Sequence, residues 1–297
     1  MITVTAPAKI NLTLEVMGKR ADGFHEIRSV LQTINLCDLL SFQAGDKPFD
    51  STQDRLKFKS DSPGWIAERS LVAKTARLLQ ETTGCSQGAI ITVEKRIPLV
   101  GGLGGDSSDA AATLQGLNQL WELELPKNKL LELAYKLGSD VAFFLDGGTA
   151  LAEGRGEIVT SLPPLPRMWV VLVIPDISRL PEKTRQLYES LNPSHYTDGE
   201  ITRQMAAKLR EGREPPVGLL FNTFENVAFD IFAGLSDYRE HMVKAGASQV
   251  HLAGSGPTLF TLLKDKARAE ELYRHLKEQK LESYLTETFT PERNSGI

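Results

Sequence analysis

One segment constrains this chain more than any other. Pro98-Leu99-Val100-Gly101-Gly102-Leu103-Gly104-Gly105 follows the mostly β-branched run Ala89 to Arg96 and leads into Asp106-Ser107-Ser108-Asp109-Ala110-Ala111-Ala112. A run that favours a strand, a loop with almost no side chains and an alanine-rich start describe a strand, loop and helix N-terminus. Ala110, Leu114, Leu117 and Trp121 continue at helical spacing. Such a loop lets main-chain N–H groups approach an oxyanion closely, and the helix adds unpaired N–H groups and the positive end of its dipole. The spacing also fits a turn that merely lets strand and helix pack closely. The hydroxyls of Ser107 and Ser108 tilt the reading toward phosphate, since they can cap the helix, donate to phosphate or hold a metal-bound oxygen. Two other phosphate loops do not match: no Gly-Lys-Ser/Thr closes the segment, and Ser107 stands where the dinucleotide pattern needs Gly.

Charge makes a local anion site necessary if phosphate is bound at all. The 297 residues hold 34 Lys and Arg against 38 Asp and Glu, a net charge of −4. No global attraction for nucleic acid or an anionic membrane follows from that. Asp106 and Asp109 add carboxylates beside the loop, which a divalent cation or the helix dipole must offset, so Mg²⁺ is the expected partner. Asp109 also fits as an ordinary acid in a helix's first turn. Cys37 and Cys85 are expected as reduced, buried thiols in a cytoplasmic protein, and no His/Cys zinc spacing is present. Met1-Ile-Thr-Val-Thr runs straight into strand-like sequence without a leader pattern, and apolar stretches such as Trp169 to Ile174 are too short to span a bilayer.

Ile10, Leu12, Leu14 and Val16 alternate with Lys9, Asn11, Thr13 and Glu15, predicting a strand with Lys9 and Asn11 on its non-core face. Helices are predicted over 70–81 and 129–137, and the apolar run 141–145 before Asp146-Gly147-Gly148 reads as a strand entering a turn. The proline-rich stretch 162–166 is the candidate boundary, giving domains 1–162 and 163–297, with the last strand free to return to the first domain. Beyond it a strand is expected at 169–174, helices at 182–191, 222–235, 238–245 and 267–279, and strands at 250–253 and 258–263. Polar connections are expected at 192–199 and 211–218. The mixture predicts an α+β fold.

Taken singly, Lys9, Asn11, His25, Asp140 and the turn Gly254-Ser255-Gly256-Pro257-Thr258 carry little information. Together, Pro7-Ala8-Lys9-Ile10-Asn11-Leu12, the segment 98–112 and Gly254 to Thr258 resemble the three ordered motifs of the GHMP kinase superfamily. The likeness covers the chain to about Leu263 and is weakest at 192–218. Arg20-Ala21-Asp22-Gly23-Phe24-His25, Lys95-Arg96-Ile97-Pro98, Gly138-Ser139-Asp140-Val141, Asn222-Thr223-Phe224-Glu225 and the lack of a Gly-Glu-His after the first motif are similar to one branch. That branch phosphorylates the 2-hydroxyl of a cytidine-diphosphate-linked methylerythritol on the non-mevalonate isoprenoid route.

The resemblance implies a two-domain GHMP kinase fold, an N-terminal domain like the second domain of ribosomal protein S5 and a ferredoxin-like C-terminal domain. It implies ATP held by Lys95 and by Pro98 to Ser108, including Val100. Asp140 would be the base and Lys9 its electrostatic support. Asn11, Phe24, His25, Gly254 and Ser255 would bind substrate, Phe24 by stacking on the base and His25 at the cytosine edge. The metal ligands stay open, with Ser107 or Ser108 as candidates. The expected partner is a small molecule, with neither nucleic acid nor membrane, for a monomer or homodimer. Another small-alcohol kinase of the superfamily, or a non-catalytic nucleotide- or RNA-binding module on the same scaffold, are the alternatives. Phe24 replaces the branch's usual Tyr, which keeps stacking and loses a phenol hydrogen bond. Asp106 stands where many relatives carry Gly, from which a stronger Mg²⁺ dependence is expected.

Overall fold

The computed structural model describes residues 1–45, 55–99, 101–178 and 180–289. Val100 and the end of the chain from 290 lie outside the described residues. The first strand, β1 (Ile2–Lys19), pairs antiparallel along its length with β2 (His25–Ala44). Pro7 lacks an N–H and falls at one of three register shifts in this ladder. One end of β2 pairs with β4 (Ala89–Glu94), itself beside β3 (Leu56–Ser60). The other end pairs with β5 (Thr149–Gly154), which carries β6 (Ile158–Ser161). Helices α1 (Leu71–Thr83), α2 (Gly105–Leu120), α3 (Lys127–Leu137) and α4 (Ser139–Asp146) close one core with this sheet, built around Phe42, Leu79, Leu114 and Phe143.

A second sheet runs in the order β11 (Ser283–Glu287), β7 (Trp169–Val173), β10 (Leu259–Leu263) and β9 (His251–Leu252). Around it lie α5 (Lys183–Ser190), α6 (Glu200–Arg210), α7 (Glu225–Ile231), α8 (Leu235–Lys244) and α9 (Lys266–Glu278). The two-residue strand β8 (Phe221–Asn222) returns to pair parallel with β1 at Thr13 and Leu14. Near the chain's end Thr288 bridges Ile34. One cluster contains Ile10 and Leu12 of β1 with Leu172 of β7 and Phe260 of β10, so β1 is a seam between the two sheets.

Three expectations need correction. Residues 141–145 are helical, in α4, where Val141 to Phe144 are all buried. An apolar run buried on every side carries no period, and here Gly138 and the positive-φ Gly147 bound a helix where a strand was expected. The span 222–235 is broken, because Phe232 turns extended and the positive-φ Gly234 restarts the chain as α8. The polar face of β1 is not a solvent face. Lys9, Asn11, Thr13 and Glu15 are all buried, since α6 lies across the strand: the Thr202 N–H donates to Glu15 Oε2 at 2.6 Å and the Thr202 hydroxyl to Thr13 Oγ1 at 2.9 Å. The cysteines are free and partly buried, and burial, then Asp38, pushes the Cys37 thiol up to about 11.

Candidate active site

The glycine loop leaves β4 and is drawn back onto β1, where the Lys9 N–H donates to the Leu103 carbonyl at 2.9 Å. Helix α2 starts from Gly104, at φ +74, and among the described residues no side chain caps its first turn. The Ser107 and Ser108 hydroxyls do not cap it. The observed start instead leaves the first-turn N–H groups without a side-chain acceptor, which suits an anion. A Cβ on Gly104 would stand 2.9 Å from Phe144 Cζ. One on Gly102, at φ +84, would stand 2.2 Å from the Ala253 carbonyl oxygen. Glycine therefore lets the loop sit against α4, β1 and the turn after β9 together.

Across the loop, Lys9 Nζ donates to Asn11 Oδ1 at 2.8 Å and lies 3.7 Å from Asp140 Oδ2. Lys9 is buried while Asp140, in the first turn of α4, is 39% exposed. The ammonium is thus held from below and the carboxylate opens into a cavity. Asn11 Nδ2 continues the chain of contacts to Ser29 Oγ at 2.8 Å. Asn222 fixes the opposite wall by donating to the carbonyls of Leu252 and Gly254 at 2.9 and 2.8 Å.

The cavity, of about 390 Å³, is lined by Lys9, Asn11, Lys95, Pro98, Leu99, Gly101 to Ser107, Asp140, Gly254 and Ser255. Ser108 lies behind it, 1% exposed, with its hydroxyl lacking a partner among the described residues. Phe24 and His25 are not on the lining. Phe24 is 55% exposed under the Arg155 guanidinium, 4.5 Å from its ring. His25 stacks on Tyr188 with centroids 4.6 Å apart, and burial, then Lys19, holds its pKa below the usual value. Arg155 and Tyr188 do line the cavity, so Phe24 and His25 each sit one side chain away from it, whereas Asn11, Gly254 and Ser255 face it directly.

Lys95 is the expected ATP ligand whose ammonium is engaged elsewhere. It donates to Asp38 Oδ2 and to Asp109 Oδ2, the latter at 2.8 Å, with all three side chains at most 3% exposed. Burial opposes the charge on Lys95, yet Asp109 and Asp38 raise its pKa above the usual lysine value. Asp109 is pushed up to about 8 by burial, with Lys95 pulling it down and Asp38 pushing it up.

Lining residues outside the motifs include Arg155, Lys183, Thr184 and Tyr188. Three come from α5, whose helical pattern was legible but whose position over the cavity was not. Burial, then Lys9, lowers Lys183 to about 8, and burial, then Asp140, raises Tyr188 to about 12.

Among the described residues, no group of three or more His, Cys, Asp or Glu is arranged to hold a metal, and no helix is long and apolar enough to cross a membrane. The candidates for Mg²⁺ are the Ser107 hydroxyl on the lining and the unpartnered Ser108 hydroxyl, with Asp106 and Asp140 on the same cavity. That is an oxygen-donor set of the kind a hard cation takes.

Fold and site define a GHMP-type kinase. Residues 70–148 match "GHMP kinases N terminal domain" and residues 205–281 match "GHMP kinases C terminal". A 4-diphosphocytidyl-2-C-methyl-D-erythritol kinase of Dehalococcoides mccartyi is 48% identical over 98% of this chain and 99% of its own. The kinase of that name from Geobacillus kaustophilus is 38% identical over 93% of both chains. A crystal structure of 4-(cytidine 5'-diphospho)-2C-methyl-D-erythritol kinase superposes with a TM-score of 0.79 at 32% identity, covering 98% of this chain and 100% of the other. Homoserine kinase from Cytophaga hutchinsonii, at 20% identity and a TM-score of 0.69 over 97% of this chain and 94% of its own, shares the fold. The chain belongs to the family of the 4-diphosphocytidyl-2-C-methyl-D-erythritol kinases, a branch of the GHMP kinases, and is an enzyme of the kinase class.

Proposed function

We propose that this enzyme transfers the terminal phosphoryl group of ATP to the 2-hydroxyl of 4-diphosphocytidyl-2-C-methyl-D-erythritol, acting in the cytoplasm on this small molecule as a monomer or homodimer. The observation that carries the reading is the Lys9–Asp140 pair, 3.7 Å apart, beside an uncapped helix start fed by a glycine loop. The full-length likeness to kinases bearing that substrate's name supports the acceptor.

Phosphoryl transfer asks for placement and charge neutralisation more than for a strong base. The first-turn N–H groups of α2 and the backbone of Gly101 to Gly105 receive the phosphates. Asp140 accepts the hydroxyl proton as the oxygen–phosphorus bond forms and ADP leaves. Lys9, oriented by Asn11, faces the charge that develops between them. The Ser107 and Ser108 hydroxyls, with Asp106 close by, would hold Mg²⁺, which would supply charge neutralisation for the phosphate oxygens. Phe24, His25 and Tyr188 form the aromatic end for the cytosine. The chain divides into two domains at 162/163, a division that the proline-rich link 162–166 supports.

The test is a coupled ADP-release assay with this alcohol, comparing wild type with Asp140→Asn. The variant keeps size and removes the carboxylate, so kcat should fall by roughly 10²- to 10⁴-fold with ATP affinity near normal. Unchanged kcat would remove Asp140 from the mechanism, and turnover on homoserine or mevalonate but not on this alcohol would overturn the acceptor.

A further inference from the structure

Lys183, the first residue of α5, belongs to no motif in the sequence. Its Nζ donates to the Gly256 carbonyl, a neutral acceptor, and no carboxylate pairs with it among the described residues. It lines the cavity that holds Lys9 and Asp140, and also a neighbouring cavity of about 700 Å³ that shares Pro98, Leu99 and Gly101 with the first. Lys183 therefore stands where the two spaces meet at the glycine loop.

The packing around it is tight. A Cβ on Gly102 would lie 2.9 Å from Gly256 N and 3.0 Å from Gly256 O, so the glycine loop rests directly on the residue that accepts from Lys183. A Cβ on Gly254 would lie 3.0 Å from Lys9 Nζ. Next to Lys183, the Thr184 and Ser255 hydroxyls are hydrogen-bonded at 2.9 Å. Two ammonium groups thus meet the turn 254–256, Lys9 at Gly254 and Lys183 at Gly256. A partly buried cation beside a like charge and without a counter-ion is costly unless an anion comes between them. Asp140 and Asn11 take up Lys9, and Asp38 and Asp109 take up Lys95, while Arg155 sits at the β1–β2 hairpin over Phe24. Lys183 is left for the ligand.

We propose that Lys183 grips the terminal phosphoryl group of the nucleotide, closing the glycine loop's cradle from the second sheet's side. The inference rests on the kinase reading above and adds to it a charged group from α5. The lowered lysine pKa fits a cation that gains its partner only when the anion arrives.

Two substitutions separate charge from structure. Lys183→Gln retains a donor for the Gly256 carbonyl without the charge, and Lys183→Arg retains both. Calorimetric binding of ADP and of a non-hydrolysable ATP analogue, with Mg²⁺ present, is compared with steady-state turnover. K183Q is expected to weaken the triphosphate analogue roughly 10- to 100-fold, as loss of a charge-assisted contact does, with ADP changed less than about threefold. Its kcat falls at least about tenfold while the acceptor's KM holds, and K183R recovers most of both. Equal losses for ADP and the analogue would overturn the assignment. So would a raised acceptor KM with kcat and analogue binding intact, which would move Lys183 to the acceptor's diphosphate. Absence of wild-type turnover on the proposed alcohol would sink the substrate reading instead, and the ADP-against-analogue comparison would still decide Lys183.

Discussion

Asp109 should make the protein less stable as pH rises. Lys95, Asp38 and Asp109 form a buried group with two acids and one base, so full ionisation leaves an excess negative charge out of water. The two acids are not equivalent. Asp38 takes three donors: Arg96 N at 2.6 Å, Ile97 N at 2.8 Å and the Lys95 ammonium. Among the described residues Asp109 takes only Lys95, and its Oδ1 is buried without a partner. Asp109 is therefore the member that takes a proton, and burial pushes it up to about 8.

The sign follows from proton counts. An unfolded Asp titrates near about 3.9, so between about pH 4 and 8 the folded state holds the extra proton and stability falls as pH rises. The slope is at most about 1.4 kcal/mol per pH unit, and burial of this group leaves little solvent screening to reduce it. Asp109→Asn fixes the neutral form and keeps an oxygen for Lys95. It should cost no more than about 1 kcal/mol near pH 6, flatten the pH dependence and become the more stable protein above about pH 8. Denaturant unfolding of both proteins at intervals from about pH 5 to 9 measures this. Parallel pH profiles for wild type and D109N, or a wild type that gains stability over the window, would refute the reasoning.

Two further outcomes test the frame of the site. Gly102→Ala adds a Cβ 2.2 Å from the Ala253 carbonyl at φ +84, so the loop and the turn must separate; ATP KM should rise about tenfold or more, with a Tm lowered by several degrees. Tyr188→Ala removes the ring that stacks on His25 at 4.6 Å and meets Phe224 edge-on at 4.9 Å, so the acceptor's KM should rise about tenfold while ATP's holds. Kinetics with each substrate varied in turn check both, and a Y188A loss confined to ATP would remove the aromatic end from acceptor binding.

What was legible in the sequence was the chemistry that glycine itself writes. A loop working through main-chain N–H groups must lack side chains, so Gly101 to Gly105 stand out in one dimension. Lys9 and Asp140 do not, because an ammonium on a strand and an acid after a glycine are common, and only the fold brings them to 3.7 Å. Lys95 could be seen beside the loop, but not that two acids from α2 and β2 would engage it in the interior. Phe24 and His25 are legible only through the family resemblance of the segment 20–25, whereas the residues next to them on the cavity, Arg155 and Tyr188, come from elements whose docking no local pattern encodes.

The polar face of β1 explains why the remainder was hidden. Alternation in a single strand marks which residues share a face and says nothing about what covers the second face. Here α6 supplies the cover, burying Thr202, Met205, Ala206 and Leu209 at helical spacing within a stretch otherwise rich in charge. With α6 across Thr13 and Glu15, and the turn 254–256 across Lys9 and Asn11, the whole row becomes interior. A lysine that would be solvated on an open strand is thereby fixed at one point, with Asn11 on one side and Asp140 on the other. Burial by a distant segment turns a common residue into a positioned charge, and it acts on Lys183 in the same way from the opposite wall.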